Sequence, residues 1–325
     1  MDRRRVVVTG ATFPDQVVRK LEAGGFTVES LPGDLDEDKV VQALHGAWGY
    51  VLGGSEVMSA RAWDRLPDLA VACFMGTGYG SFMEVPEGAS PTRFCYTPHA
   101  NAVAVAEFTV AQMLDLVRGV TRRVTGVRAG LWSEDATPSL VGARLGVAGM
   151  GHIGREVARM AHAAFGMEVL YWNRTHRPEL DGLPYTAVAS LDDLFEAAEV
   201  VTLHFPHQPG VNDGVIGARQ LTALGPDGFL INTARAALVD PDALRTALAE
   251  DLIAGAAFDG YYTEPTPDPA EDPYGLMEFV PDRLLVTPHC AYLSTQAVRH
   301  MAEMAAENLL SVARGDEPRY PATAG

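Results

Sequence analysis

The stretch from Leu140 to Thr175, LVGARLGVAGMGHIGREVARMAHAAFGMEVLYWNRT, restricts the folds open to this chain more than any other. Leu145 to Ala148 is a short apolar run, and Gly149-Met150-Gly151-His152-Ile153-Gly154 fits G-x-G-x-x-G. Val157, Met160, Ala161 and Ala164 then recur at helical spacing, and Glu168 to Trp172 reads as a second buried strand. A glycine turn in this setting has a physical purpose. The first glycine makes the tight turn, the second lets backbone approach a pyrophosphate, and the third lets helix and strand pack closely. The helix N-terminus then faces the negative charge. A strand, this turn, a helix and a further strand together predict a dinucleotide site, with Gly149, Gly151, His152, Ile153 and Gly154 lining it.

The end of the second strand bears on which dinucleotide. An NAD site usually has Asp or Glu there to accept from the ribose hydroxyls, whereas Arg suits a 2′-phosphate. Here the position falls on Asn173, followed by Arg174 and Thr175, with His176 and Arg177 beyond. A neutral amide does not repel a phosphate, a guanidinium binds it bidentately, and a hydroxyl adds a hydrogen bond. NADP(H) is therefore the expected preference, with NAD(H) possible if this is a solvated basic loop.

At 325 residues the chain has room for two domains with real cores. Its net charge of −17 argues against nucleic acid and anionic membranes as partners. Any anionic substrate must then be held by local positive groups. Cys73, Cys95 and Cys290 give neither a metal spacing nor a disulfide framework, which fits a reducing cytoplasm, and no metal is expected. The apolar run after Met1 is too short for a signal segment, and no stretch is long enough to span a membrane. A cytoplasmic location is the expectation.

Taken in order, strands are expected at Arg5–Thr9, Phe26–Val28, Gly49–Leu52 and Leu69–Phe74. Helices are expected between them at Phe13–Ala23, Asp38–His45 and Ser59–Leu66, the last with Ser59 as N-cap. The alternation implies a parallel α/β domain. Its fourth strand leads into Met75-Gly76-Thr77-Gly78-Tyr79-Gly80, a candidate ligand loop because such sheets bind beyond the carboxyl ends of their strands. Thr97–Leu116 starts as a loop and becomes an apolar helix, and Arg122–Pro138 reads as an irregular connector. Later strands are expected at Val200–Leu203, Phe229–Thr233, Ala254–Asp259 and Leu284–Val286. Helices are expected at Leu191–Ala198, Val215–Leu224, Pro241–Ala249 and Ser294–Arg314.

Arg235, Glu264 and His289 stand at or just beyond strand ends in the second half. Singly they have ordinary readings: a surface arginine, a loop acid before Pro265 and a helix-capping imidazole. Beside a nicotinamide site they acquire a joint logic. A 2-oxo acid needs its carboxylate held, its carbonyl polarised, a hydride delivered to carbon and a proton to oxygen. Arg binds carboxylates bidentately, and His exchanges protons near neutral pH. A neighbouring carboxylate orients an imidazole and favours its protonated form.

With these residues in view, the chain resembles the D-isomer-specific 2-hydroxyacid dehydrogenase family along nearly its whole length. The resemblance is carried by MGTGYG, PHANAVAVAEFTVA, LGVAGMGHIG, LHFPHQPGVNDGVIG, INTARAALVD, AGAAFDGYYTEP and VTPHCAYLS, in the family's order. It implies an α/β fold of two Rossmann-like domains with parallel sheets and the active cleft between them. Residues 1–97 plus 290–325 would form a flavodoxin-like substrate domain, and 98–289 the dinucleotide-binding domain. It also implies a homodimer made through the nucleotide domains. The catalytic set falls on Arg235, Glu264 and His289, and the substrate contacts on Met75, Gly76, Thr77, Gly78, Asn101 and Arg235. Asp259 matches the nicotinamide carboxamide contact. His204, Phe205, Pro206, Thr233, Ala234 and Thr109 match cofactor-lining positions.

The departures concern substrate. Gly80, Ala236, His99 and Met75 differ from frequent family choices, and none touches the catalytic set. No Lys or Arg lies in residues 75–80, so that loop offers no cationic side chain to a phosphorylated substrate; His207 and His99 are the only substitutes in view. An insertion-like run from Thr263 to Phe279 sits beside Glu264 and is placed to select substrate. The expected activity is NAD(P)-dependent reduction of a small 2-oxo acid, of the glyoxylate or hydroxypyruvate kind, to its 2-hydroxy acid. The alternatives are a dehydrogenase of an unusual anion (phosphite, formate or a phosphonate) and a non-catalytic dinucleotide sensor resembling the corepressors of this fold.

Overall fold

Alternating apolar strands and amphipathic helices build two all-parallel sheets in a computed structural model that describes residues 3–10 and 13–324. The chain divides into two units, Met1–Asn101 with Leu293–Gly325, and Ala102–Tyr292.

The first unit runs β1 (Arg4–Thr9), α1 (Asp15–Ala23), β2 (Phe26–Leu31), α2 (Glu37–Leu44), β3 (Gly49–Leu52), α3 (Ala60–Trp63), β4 (Val71–Phe74) and β5 (Arg93–Tyr96). Its sheet has the order β2-β1-β3-β4-β5, the flavodoxin-like arrangement. β3 and β4 are buried along their whole length, as a parallel sheet covered on both faces requires. Tyr50, Leu52, Met58, Trp63 and Met83 fill one core, and the chain's last helix packs back onto β4.

The second unit begins with α4 (Ala102–Arg118) and α5 (Val120–Arg128). It continues with β6 (Arg144–Ala148), α6 (His152–Phe165), β7 (Glu168–Trp172), β8 (Tyr185–Ala187), α7 (Leu191–Ala197), β9 (Val200–Leu203) and α8 (Ala218–Leu224). β10 (Phe229–Asn232), α9 (Pro241–Ala249), β11 (Gly255–Asp259) and β12 (Leu284–Thr287) complete it, and α10 (Thr295–Ala313) is the helix that returns to the first unit. The sheet order is β12-β11-β10-β9-β6-β7-β8, so the winding reverses between β6 and β9. That reversal is where a doubly wound sheet leaves a crevice for a ligand. Successive residues of β10 supply opposite cores: Leu230 packs with Leu194, Leu203 and Phe258, while Ile231 packs with Val147, Val157 and Met113. Among the described residues, no helix is long and apolar enough to cross a membrane.

Several elements differ from the sequence expectation. The Arg122–Pro138 connector is helical at its start, in α5. Its apolar residues Val120, Val124 and Val127 are about half exposed, so no buried face announced it. Gly119 at φ +60° separates it from α4, and Asp115 caps it by accepting from Thr121 N–H (2.7 Å) and Oγ1 (2.5 Å). β5 and β8 were not expected; they are edge strands of four and three residues, too short for a periodicity to show. α3 stops at Trp63, a few residues before Pro67, and the Ser59 side chain makes no cap bond; its N–H instead donates to Glu37 Oε2 (2.6 Å).

Candidate active site

The glycine turn after β6 is built as the motif requires. Gly149 has φ +97°, and a Cβ there would lie 2.7 Å from the backbone of His204 at the end of β9. A Cβ on Gly154 would lie 2.1 Å from the Gly149 carbonyl oxygen, so only hydrogen lets α6 start this close to the turn. A Cβ on Gly151 would meet nothing within 4 Å. That open face, at the N-terminus of α6, fits a pyrophosphate held by backbone N–H groups.

Asn173 ties the end of β7 to this turn. Its Oδ1 accepts from Met150 N–H (2.7 Å), while its Nδ2 is buried without a partner. A buried unpaired donor is costly unless a ligand supplies the acceptor, and a ribose hydroxyl is an acceptor of the right kind. Arg174 and Thr175 beside it are exposed. Arg177 pairs with Glu179 (3.2 Å) and His176 with Asp181 (3.5 Å). Burial, and then the charges of Arg155 and Arg177, push the His152 imidazole below its usual pKa, so the helix N-terminus lies in a positive field.

The other lining positions gather at the carboxyl ends of β9 and β10. His204 joins Thr202 Oγ1 through Nε2 (2.9 Å), and its Nδ1 is buried without a partner. Burial drives its pKa down to about 3, so it is neutral at physiological pH. Phe205 meets Trp172 edge-on with centroids 6.0 Å apart, and Pro206 beside it is exposed. Thr109 on α4 is fully buried; its one hydroxyl proton goes to Val105 O (2.7 Å), so Thr233 donates to it across 2.9 Å. Thr109 thus braces Thr233 from behind. Buried Asn232 shapes the next turn, accepting from Ala234 N–H (3.0 Å) and donating to Arg235 O (2.8 Å). That turn carries Arg235, which also bonds Ala234 O through Nη1 (2.7 Å). Burial lowers the Arg235 pKa, opposed by the negative charges of Glu264 and Asp259.

Glu264 and His289 come together, with Glu264 Oε2 3.0 Å from His289 Nδ1. Glu264 Oε1 accepts from Tyr261 N–H (3.1 Å) and lies where a Cβ on Gly260 would be, 2.4 Å away. A side chain at Gly260 would push this oxygen from its place, and the φ of +103° is backbone that favours glycine. Burial alone would raise the Glu264 carboxyl; the bond to His289, the Tyr261 N–H and the Arg235 charge hold it below the usual carboxylate value. An ionised Glu264 makes Nδ1 the N–H donor, leaving Nε2 as the nitrogen for proton transfer.

His289 has φ +51°, a conformation that side chains other than glycine take up only under constraint. Asp259 supplies the constraint. It is buried at the end of β11, where Oδ1 accepts from Thr287 Oγ1 (2.6 Å) and Cys290 N–H (2.9 Å), and Oδ2 from Ala291 N–H (2.8 Å). Gln112 on α4 backs Thr287 by donating to its Oγ1 (3.0 Å). Sequence reasoning missed Gln112 and this use of Asp259, because each acts through a contact made far along the chain, and it missed Asn232 because its bonds, though local, hold a turn that no residue pattern announces.

In the first unit, the Met75–Gly78 loop is braced by residues 97–101. Gly76 O accepts from Thr97 N–H (3.2 Å). Thr77 Oγ1 accepts from His99 N–H (3.1 Å) and donates to Asn101 Oδ1 (3.1 Å). With Oδ1 so engaged, Asn101 is left as a donor through its NH2. Met75 is buried and serves the core. His207, a candidate grip on phosphate, is held by Asp213 (2.5 Å).

A glycine turn at the reversal of a doubly wound sheet, with an Arg and a Glu–His pair at neighbouring strand ends, defines a nicotinamide-dinucleotide-dependent oxidoreductase. Residues 110–291 match the D-isomer specific 2-hydroxyacid dehydrogenase NAD binding domain. The chain is 31% identical to the glyoxylate reductase of Thermofilum pendens over 274 residues, 81% of this chain and 78% of that one. The crystal structure of TT0316 protein from Thermus thermophilus superposes with a TM-score of 0.83 at 32% identity, covering 98% of this chain and 100% of that one. An NADPH-dependent glyoxylate/hydroxypyruvate reductase from Sinorhizobium meliloti, solved with NADP and malonate, gives 0.79 at 26% identity, covering 99% and 97%. The chain belongs to the D-isomer-specific 2-hydroxyacid dehydrogenase family. It is an NAD(P)-dependent oxidoreductase acting on the CH–OH group of 2-hydroxy acids.

Proposed function

We propose that this protein reduces a small 2-oxo acid, of the size of glyoxylate or hydroxypyruvate, and prefers NADPH. The observation that carries the reading is the 3.0 Å Glu264–His289 pair with the Arg235 charge beside it. When bound, the dinucleotide supplies the hydride for the carbonyl carbon. Arg235 binds the substrate carboxylate and polarises the carbonyl. His289 gives its Nε2 proton to the alkoxide oxygen, and Glu264 holds the ring and stabilises the imidazolium before transfer. The Met75–Gly78 loop and Asn101 are read as further substrate contacts, and the second unit as the one that holds the dinucleotide. Asn173, Arg174 and Thr175 support the NADPH preference by offering donors and no carboxylate, with Arg155 and Arg177 adding positive charge. NADPH-dependent glyoxylate reduction by the Sinorhizobium relative agrees with this reading.

The test is NADPH and NADH oxidation against a panel of 2-oxo acids, with His289→Ala alongside. A higher kcat/KM with NADPH on glyoxylate or hydroxypyruvate, lost in the variant while dinucleotide binding persists, is the expected result. A preference for NADH overturns the cofactor assignment, silence across the panel overturns the substrate, and full activity in His289→Ala overturns the proton donor.

The proposed assembly is a homodimer through the second unit. Val120, Val124, Val127 and Leu131 recur at helical spacing and are each more than half exposed, with Trp132 80% exposed beside them. A stripe of this kind on a soluble chain supports subunit contact.

A further inference from the structure

The insertion-like run from Thr263 to Phe279 is gathered around the Asp272 carboxylate, and Glu278 near its end pairs with Arg245 of α9 (3.0 Å). Asp272 Oδ2 accepts from Tyr261 Oη (2.8 Å), Leu276 N–H (2.6 Å) and Met277 N–H (2.9 Å), and Oδ1 accepts from Tyr274 N–H (3.1 Å). The rings of Tyr262 and Tyr274 pack 4.9 Å apart beneath this knot, and Tyr262 Oη donates to Val239 O (2.8 Å). Most of residues 263–271 is exposed, whereas Tyr261 is buried. The run is thus a lasso whose base is closed by the Tyr261–Asp272 bond and whose exposed part carries Glu264.

The direction of that bond is fixed. Burial and the Asp272 charge raise the Tyr261 phenol, so it stays protonated. Burial would raise the Asp272 carboxyl as well, but its four donors hold it below the usual value, so it stays ionised. Tyr261 is also the residue whose backbone N–H binds Glu264 Oε1. A continuous path runs Asp272–Tyr261–Glu264–His289, in which each link is a hydrogen bond of 2.8–3.1 Å.

We propose that Asp272 and the Tyr261 hydroxyl are positioning residues for proton transfer, which hold Glu264 on His289 by closing the base of the lasso. The proposal rests on the catalytic reading of Glu264 given above. Neither residue is among those read above as contacts of the substrate or the dinucleotide. An exposed carboxylate on an open loop would have many orientations, and the clasp reduces them before the dinucleotide or substrate binds.

A double-mutant cycle tests this. Tyr261→Phe removes the clasp and leaves the ring, the backbone N–H and the turn bonds of Asp272. It should lower kcat by about threefold to tenfold, part of one charged hydrogen bond, with KM for the dinucleotide unchanged. In a Glu264→Gln background the same change should have no further effect, since the carboxylate it positions is gone. Asp272→Asn, measured in both backgrounds with the melting temperature of each variant, gives a second route should Tyr261→Phe fold poorly. Equal losses in both backgrounds, or an undiminished kcat in Tyr261→Phe, overturn the positioning role. A Glu264→Gln enzyme as active as wild type overturns the catalytic reading beneath it instead, so the two failures are distinguishable.

Discussion

Gly151 and Gly154 stand three residues apart in one turn, and alanine should separate their functions. At Gly154 the new methyl would lie 2.1 Å from the Gly149 carbonyl oxygen. The turn cannot yield, because Gly149 itself rests against the His204 backbone, so α6 has to move by roughly 1 Å to restore van der Waals contact. That shift strains Val157, Ala158 and Ala161, all fully buried. Overpacking of this kind costs about 3 kcal/mol at its upper end. In a unit of this size that lowers the melting temperature by roughly 6–12 °C.

At Gly151 nothing lies within 4 Å, and φ −72° with ψ −160° is extended backbone that alanine adopts. Alanine at an N-cap costs of the order of 1 kcal/mol relative to glycine, and loss of freedom in the unfolded chain offsets a similar amount. Melting should change by no more than about 4 °C. The methyl nevertheless occupies the space offered to the pyrophosphate, so NADPH binding should weaken at least about tenfold. Thermal melting of the ligand-free protein and fluorescence titration with NADPH read the two effects apart. A Gly154→Ala protein that melts like wild type, or a Gly151→Ala protein that binds NADPH like wild type, refutes the assignment of these roles.

Two further outcomes follow from groups outside the reaction. Glu56 in the first unit is 2% exposed, and burial raises its pKa against the opposing pull of nearby Thr9 and backbone donors. The folded state therefore favours the protonated acid: its stability contribution is complete below the ordinary carboxylate pKa and is lost as pH rises through the raised one. Glu56→Gln should melt with wild type near pH 4 and above it at pH 8, and an unchanged difference across that range would count against a buried charge. Val124→Glu, on the exposed stripe of α5, tests the proposed dimer: light scattering should find a dimer for the wild type and a monomer for the variant, whereas a monomeric wild type overturns the dimer and a dimeric variant moves the interface elsewhere.

Local chemistry made much of this protein legible in its sequence. The glycine turn, the apolar runs of the parallel strands and the Arg, Glu and His at strand ends are all statements about residues a few positions apart, where period and turn geometry decide. β3, β9 and α9 came out with the observed bounds because each is a buried run or a capped amphipathic helix bordered by turn residues. α5 did not, since its valines face solvent and carry no burial signal. Only the tertiary structure decided what the polar groups do to one another. Asp259 reads in sequence as one acid at a strand end, yet it folds the 287–291 turn around itself and holds His289 at a positive φ. Asn173 reads as a neutral choice at the ribose position, yet its oxygen is committed to Met150 N–H and only its Nδ2 remains. The physical reason is common to both. A hydrogen bond depends on distance in space, and parallel strands bring their carboxyl ends together from positions as far apart as Ala148 and Thr287.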